Sequence, residues 1–166
     1  MFKRMAALTR REWLGGAGLA GLAAFVAGAG ATADARPRFA FTLGDAEWKK
    51  RLSPPAYAVL RKDATERAWS SPLLKEKRQG VYACGGCGQP LFRSNTKYDS
   101  RTGWPSFFAP IRGAVGASTD YKLGIPRTEV HCTRCGGHLG HVFDDGPRPT
   151  GKRYCLNGLA LRFRPA

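Results

Sequence analysis

Val81-Tyr82-Ala83-Cys84-Gly85-Gly86-Cys87-Gly88-Gln89-Pro90-Leu91-Phe92 sets a Cys-x-x-Cys turn between two short apolar runs. The pattern recurs at Thr128-Glu129-Val130-His131, which leads into Cys132-Thr133-Arg134-Cys135-Gly136-Gly137. A two-residue spacer followed by glycine makes a tight turn whose backbone N–H groups can point at thiolate sulfur. Two such turns, from Cys84, Cys87, Cys132 and Cys135, supply four thiolates for a tetrahedral zinc site with no open position, so a structural one. The 44 residues between the pairs would make this site tie distant segments of one domain together. Two disulfides are the alternative that an exported chain allows.

Working outward, His141-Val142-Phe143 reads as a strand and Asp144-Asp145-Gly146-Pro147 as a turn. Arg153 to Arg164 reads as one long closing strand. Upstream the pattern changes to helix. Asp45–Leu52 has acids early and bases late, as the helix dipole prefers. Ser53 then serves as an N-cap with Pro54 at the first helical position, and Tyr57, Val59 and Leu60 give the second helix its apolar contacts. The chain of 166 residues contains 21 Gly and 11 Pro, without repeats beyond the two Cys pairs. That composition predicts one turn-rich, mainly β domain rather than a helical bundle.

The N-terminus is an address. Leu14 to Ala33 is uncharged, and 14 of its 20 residues are Gly or Ala, too weakly apolar for an ordinary membrane span. Ala31-Thr32-Ala33 and Ala33-Asp34-Ala35 offer small-x-small cleavage sites. Thr9-Arg10-Arg11-Glu12-Trp13-Leu14 resembles a twin-arginine export signal, the alternatives being an ordinary secretory signal or an uncleaved anchor. The expectation is a signal and cleavage region over residues 1–35, a catalytic domain over 36–166, and passage in folded form to a bacterial periplasm. No stable membrane insertion is expected after cleavage. Removing residues 1–33 takes away four basic residues and one acidic one, leaving +12 of the formal +15. That charge suits a zinc-dependent nucleic-acid module. The basic residues are scattered, however, and an exported protein meets little nucleic acid, so no nucleic-acid partner is expected.

Cys155 is the odd cysteine. In an extended strand Arg153, Cys155 and Asn157 share a face. A guanidinium beside a thiol favours the reactive thiolate. A buried, inert Cys is the bland alternative. His138, His141 and Asp145 offer acid–base groups, and Thr102-Gly103-Trp104-Pro105-Ser106-Phe107 offers an apolar wall.

Taken together, Lys97-Tyr98-Asp99-Ser100, Gly103-Trp104-Pro105-Ser106-Phe107, Arg127-Thr128-Glu129-Val130, Cys132 to Pro147 and Arg153-Tyr154-Cys155-Leu156-Asn157-Gly158 resemble the B-type peptide-methionine (R)-S-oxide reductases over about residues 43 to 164. The resemblance implies two packed antiparallel sheets with short N-terminal helices, and zinc at Cys84, Cys87, Cys132 and Cys135. It implies Cys155 as nucleophile with His138, His141, Asp145, Arg153 and Asn157 around it, and Trp104 and Phe143 as substrate contacts. The implied partners are oxidised proteins or peptides containing methionine sulfoxide and a thioredoxin-like or other thiol reductant, acting on a monomer. One position departs from the pattern. Many members carry a resolving cysteine where this chain has Thr102, so an external thiol is expected to regenerate Cys155.

Overall fold

The computed structural model describes residues 39–166; the expected export segment lies outside them. Two short helices lead. Helix α1, Asp45–Arg51, opens with the Glu47 carboxylate accepting from the Gly44 N–H at 3.0 Å, and closes on Lys49, Lys50 and Arg51. Helix α2, Pro54–Lys62, starts at Ser53, whose hydroxyl accepts from Ala56 N–H. The second start follows the cap read from the sequence, and the first keeps the expected order of acids before bases while adding the Glu47 contact. Trp48, Tyr57, Val59 and Leu60 are the buried contacts of these helices.

Among the described residues nine strands form two antiparallel sheets. The smaller has the order β2-β1-β9, from Pro90–Arg93, Gly80–Cys84 and Leu161–Pro165. The larger has the order β3-β4-β8-β7-β6-β5. Its strands are Lys97–Tyr98, Ser106–Phe107, Arg153–Leu156, His138–Phe143, Arg127–Cys132 and Val115–Asp120. The sheets meet through aromatic rings. Phe92 of the small sheet stacks on Phe107 of the large one at 4.6 Å, and Tyr82 meets Phe107 edge-on at 4.9 Å. All three are fully buried, and each such ring contributes about 1.5–3 kcal/mol by leaving water.

The closing strand departs from expectation. Arg153–Leu156 ends in the large sheet, residues 158–160 make a tight turn, and Leu161–Pro165 continues in the small sheet. The break is held by buried polar groups. Asn157 Oδ1 accepts from Glu66 N–H at 2.8 Å and its amide donates to the Leu139 carbonyl at 3.1 Å. The buried Glu66 carboxylate accepts from Gly158 N–H at 2.5 Å and Leu159 N–H at 3.2 Å. The chain therefore changes sheets just after Cys155. Space at the corner is tight: a Cβ on Gly158 would stand 1.9 Å from Ser71 Oγ.

Candidate active site and metal centre

The two Cys-x-x-Cys turns lie at the ends of β1 and β6, one in each sheet. They share a hydrogen-bond pattern. Gly88 N–H donates to Cys84 O and Gly136 N–H to Cys132 O; Cys84 N–H reaches Gln89 O and Cys132 N–H reaches Gly137 O. Each turn is thus closed by its own backbone, and all four thiols are buried. Cys84 and Cys135 sulfurs are 3.7 Å apart, Cys87 and Cys132 sulfurs 3.6 Å, and all four lie within 4.8 Å of one another. Four sulfurs about 2.3 Å from a central ion in tetrahedral array stand about 3.8 Å apart. A disulfide needs about 2.05 Å. The four cysteines therefore fit a metal ion and are all unbridged. Arg51 Nε donates to Gly86 O at 2.7 Å and Arg61 to Cys135 O at 3.0 Å, so both helices brace the turns and bring positive charge to the thiolates.

The second centre is a row of side chains across the large sheet. Strand register places Ser118 opposite Glu129, Glu129 opposite His141, His141 opposite Cys155, Cys155 opposite Ser106, and Ser106 opposite Tyr98. Directly opposed residues project to the same face. Two residues along, Phe143 faces Arg153 and Asp120 faces Arg127, still on that face. The next residues along from Glu129 and Cys155, Val130 and Leu156, alternate to the other face and point into the core.

His138 reaches this face through a bulge. On β7 the register steps from His138 to Gly140 while β6 steps only from His131 to Val130. The extra residue brings His138 and His141 together, ring centroids 5.5 Å apart, although a three-residue spacing would normally separate them. Gly140 is required here. A Cβ would meet the Cys155 carbonyl oxygen at 2.2 Å, and the φ of +154° is unusual for other residues.

Each histidine has a carboxylate. His138 Nδ1 is 2.7 Å from Glu129 Oε1, and His141 Nε2 is 2.7 Å from Asp120 Oδ2. The bond to His138 is the main reason that the Glu129 carboxyl is pulled down to about 2. Asp120 is held well below the carboxylate range, first by Lys122 N–H and then by His141. Burial pushes His141 below the ordinary histidine value, against the pull of Asp120. The neutral ring donates from Nε2 to the carboxylate, leaving the Nδ1 lone pair free as a base.

Arg153 forms a two-pronged ion pair with Asp145, with N···O distances of 2.8 and 2.7 Å. Asp145 holds the guanidinium above its usual value, and the Cys155 sulfur adds to that pull. Arg153 also stands 4.3 Å over the Phe143 ring. Trp104 Nε1 donates to the Glu66 carbonyl at 2.9 Å, which fixes the indole. A cavity of about 120 Å³ is lined by Trp104, His141, Phe143, Cys155, Asn157 and Arg127, among others. Pockets for whole small molecules run to about 300–1,000 Å³. This one takes the tip of a single side chain.

Residues 52–165 match the family model for the SelR domain. The chain is 56% identical over 123 residues to the peptide methionine sulfoxide reductase MsrB of Leifsonia xyli subsp. xyli, covering 73% of this chain and 88% of that protein. It is 51% identical to the Leptospira interrogans MsrB, covering 72% and 92%, and 54% identical to the Methanosarcina barkeri MsrB, covering 71% and 84%. The chain belongs to the MsrB family. In this chain the structure brings Cys155, His141, Asn157, Trp104 and Phe143 to one cavity. Asn157 lines it from a buried corner rather than from an extended strand, with its amide occupied by backbone. His138 stands behind His141, and Asp145, at 62% exposure, acts on Arg153 rather than facing the cavity.

Glu66 and Asp120 were missed by sequence reading, and neither carries a local signal. Arg127 and Glu129 did carry one, an alternation of charge along a strand ending in Cys132.

Proposed function

We propose that this member of the MsrB family reduces the R epimer of methionine sulfoxide in proteins, with Cys155 as the nucleophile. The observation that carries the reading is Cys155 directly opposite His141, beside Arg153, at a cavity sized for one side chain and walled by Trp104 and Phe143. The sulfoxide sulfur is electrophilic. The thiolate, favoured by Arg153, attacks it. The sulfoxide oxygen takes up the thiol proton and migrates from the methionine sulfur to the cysteine sulfur as the S–S bond formed in the attack breaks, so that Cys–SH and R₂S=O become Cys–SOH and R₂S. His141 Nδ1 serves as the proton shuttle, receiving the thiol proton and returning it to the oxygen. Glu129 and Asp120 orient His138 and His141, and Asp145 orients Arg153. With its indole fixed by Glu66, Trp104 holds the S-methyl group, so that one epimer alone presents sulfur to Cys155 and oxygen to the proton donors.

Regeneration uses an external thiol. Thr102 occupies the place of a resolving cysteine and cannot form a disulfide. The other four thiols are buried in the metal centre. An external thiol condenses with the sulfenic acid, releasing water and leaving a mixed disulfide, which a second thiol resolves. Zinc is the ion proposed for the four-cysteine cluster, where it would clamp the two sheets together. Residues 1–35 are proposed to direct folded, metal-loaded protein to the periplasm, on the strength of Thr9-Arg10-Arg11-Glu12-Trp13-Leu14. The enzyme is proposed to act as a monomer.

Purified protein supplied with the separated epimers and dithiothreitol tests the reading. Turnover of the R epimer alone is expected, with none by Cys155→Ser; turnover of the S epimer at equal rate overturns it. A disulfide trapped between Cys155 and any cluster cysteine during turnover would overturn the external-thiol step.

A further inference from the structure

A chain of hydroxyls ends on the Cys155 sulfur. Thr102 Oγ1 is 3.6 Å from Cys155 Sγ, Ser100 Oγ is 2.8 Å from Thr102 Oγ1, and Ser106 Oγ is 2.7 Å from Ser100 Oγ. Ser106 Oγ is also 3.1 Å from the Trp104 carbonyl oxygen, and Ser106 is fully buried. The direction of every bond follows from counting protons, since each hydroxyl carries one. A carbonyl only accepts, so Ser106 spends its proton on Trp104. Ser100 must then donate to Ser106, and Thr102 to Ser100. Thr102 has no proton left for sulfur and accepts from the Cys155 S–H.

That arrangement suits a thiol and not a thiolate. Once the thiol proton has left into the cavity, the negative sulfur, already beside Arg153, gains from a further donor. Thr102 supplies one only if Ser100 and Ser106 turn with it and the Trp104 carbonyl gives up its partner. We infer that Thr102, Ser100 and Ser106 form a reversible hydroxyl chain whose polarity follows the charge on Cys155, with Thr102 accepting from the thiol and donating to the thiolate. Thr102 is then more than a lost resolving cysteine: it touches the reacting sulfur. Ser100 and Ser106 are positioning residues, because the Trp104 carbonyl acts through them to hold the chain in its resting polarity.

The other titratable and charged groups around this sulfur come from each packed element. They are Arg153 on its own strand, with Asp145 behind it, and His141 on β7, with Asp120 and His138 behind it. Arg127 on β6, beside Glu129, shares the cavity, and Tyr98 stands on β3 in the same row. None of them is removed by changes at Thr102 or Ser100, so the chain is separable from them.

The inference rests on Cys155 being the nucleophile, but its test reads thiol ionisation without turnover. The full-length, metal-loaded protein is alkylated with iodoacetamide across pH, and modification of the Cys155 peptide is followed by mass spectrometry. Thr102→Val keeps the shape and loses the hydroxyl. It is expected to raise the midpoint by about one pH unit, leaving about tenfold less thiolate at neutral pH. Thr102→Ser is expected to restore the wild-type profile. Ser100→Ala frees the Thr102 proton from its tether, so the midpoint should fall, with about threefold more thiolate. Opposite signs for Thr102→Val and Ser100→Ala are the signature of the chain. A Thr102→Val profile that superimposes on wild type, or a Ser100→Ala midpoint that does not fall, overturns the inference. Should Thr102→Val fail to fold, the sign of the Ser100→Ala shift decides alone. Methionine sulfoxide reduction, assayed in parallel, shows separately whether the catalytic reading stands.

Discussion

The four-cysteine cluster and the Cys155 cavity hold the same functional group in opposite settings. In the cluster, each thiol is buried among three others, on turns that satisfy their own backbone and that two helices brace. Around Cys155 the neighbours are unlike it: a guanidinium, an imidazole, hydroxyls and an indole, beside a cavity that leaves the sulfur partly open. The comparison teaches that reactivity follows access and unequal neighbours, while stability follows closure and equal ones. Both centres sit where chain segments change partners. The cluster joins the ends of β1 and β6, and Cys155 precedes the corner where the chain crosses between sheets.

Breaking the cluster should have the largest effect. Cys132→Ser, or metal removal by a strong chelator, is expected to abolish cooperative thermal unfolding, because apparent binding energies at small structural zinc sites reach about 10–16 kcal/mol. Circular dichroism with metal analysis checks this; a chelated protein melting as before would break the comparison. Changing Cys155 should do the reverse. Cys155→Ser is expected to reduce turnover to background while metal content and melting temperature stay unchanged.

Next in size is the corner between the two centres. Glu66→Ala removes the acceptor for Gly158 and Leu159 N–H, and unpaired buried donors cost about 1–3 kcal/mol each. Denaturant unfolding should show a loss of that order, together with slower sulfoxide reduction as the corner that follows Cys155 loosens, while the backbone carbonyl that accepts from Trp104 is kept.

The smallest effect concerns pH. The Glu129 carboxyl is pulled down to about 2 in the folded protein, chiefly by His138. A depressed carboxyl stabilises the fold above its unfolded value of about 4.3 and loses that contribution as pH falls through about 2. Urea midpoints measured from pH 5 to 2 should therefore decline less steeply in Glu129→Gln than in wild type. Parallel declines would remove Glu129 from the account.

Legibility in the sequence tracked how local the determinants are. The helix starts at Asp45 and Pro54, the two cysteine turns and the apolar runs beside them are specified within a few residues, and they stand where the sequence predicts. The closing strand was misread because Leu156 and Leu161 continue an apolar pattern, whereas the break between them depends on Glu66, which is remote in sequence. His138 and His141 were both noticed, but their meeting needs a bulge that appears only when β6 and β7 pair.

The sequence by itself determined the mainly β class, the four-plus-one division of the cysteines and the side-chain chemistry of the site, because those depend on residue type and short spacing. Only the tertiary structure decided which carboxylate serves which histidine, that Asp145 belongs to Arg153, and that a hydroxyl chain ends on the nucleophile. Those pairings are set by register across strands and by one buried glutamate, so they exist only once the chain has closed on itself.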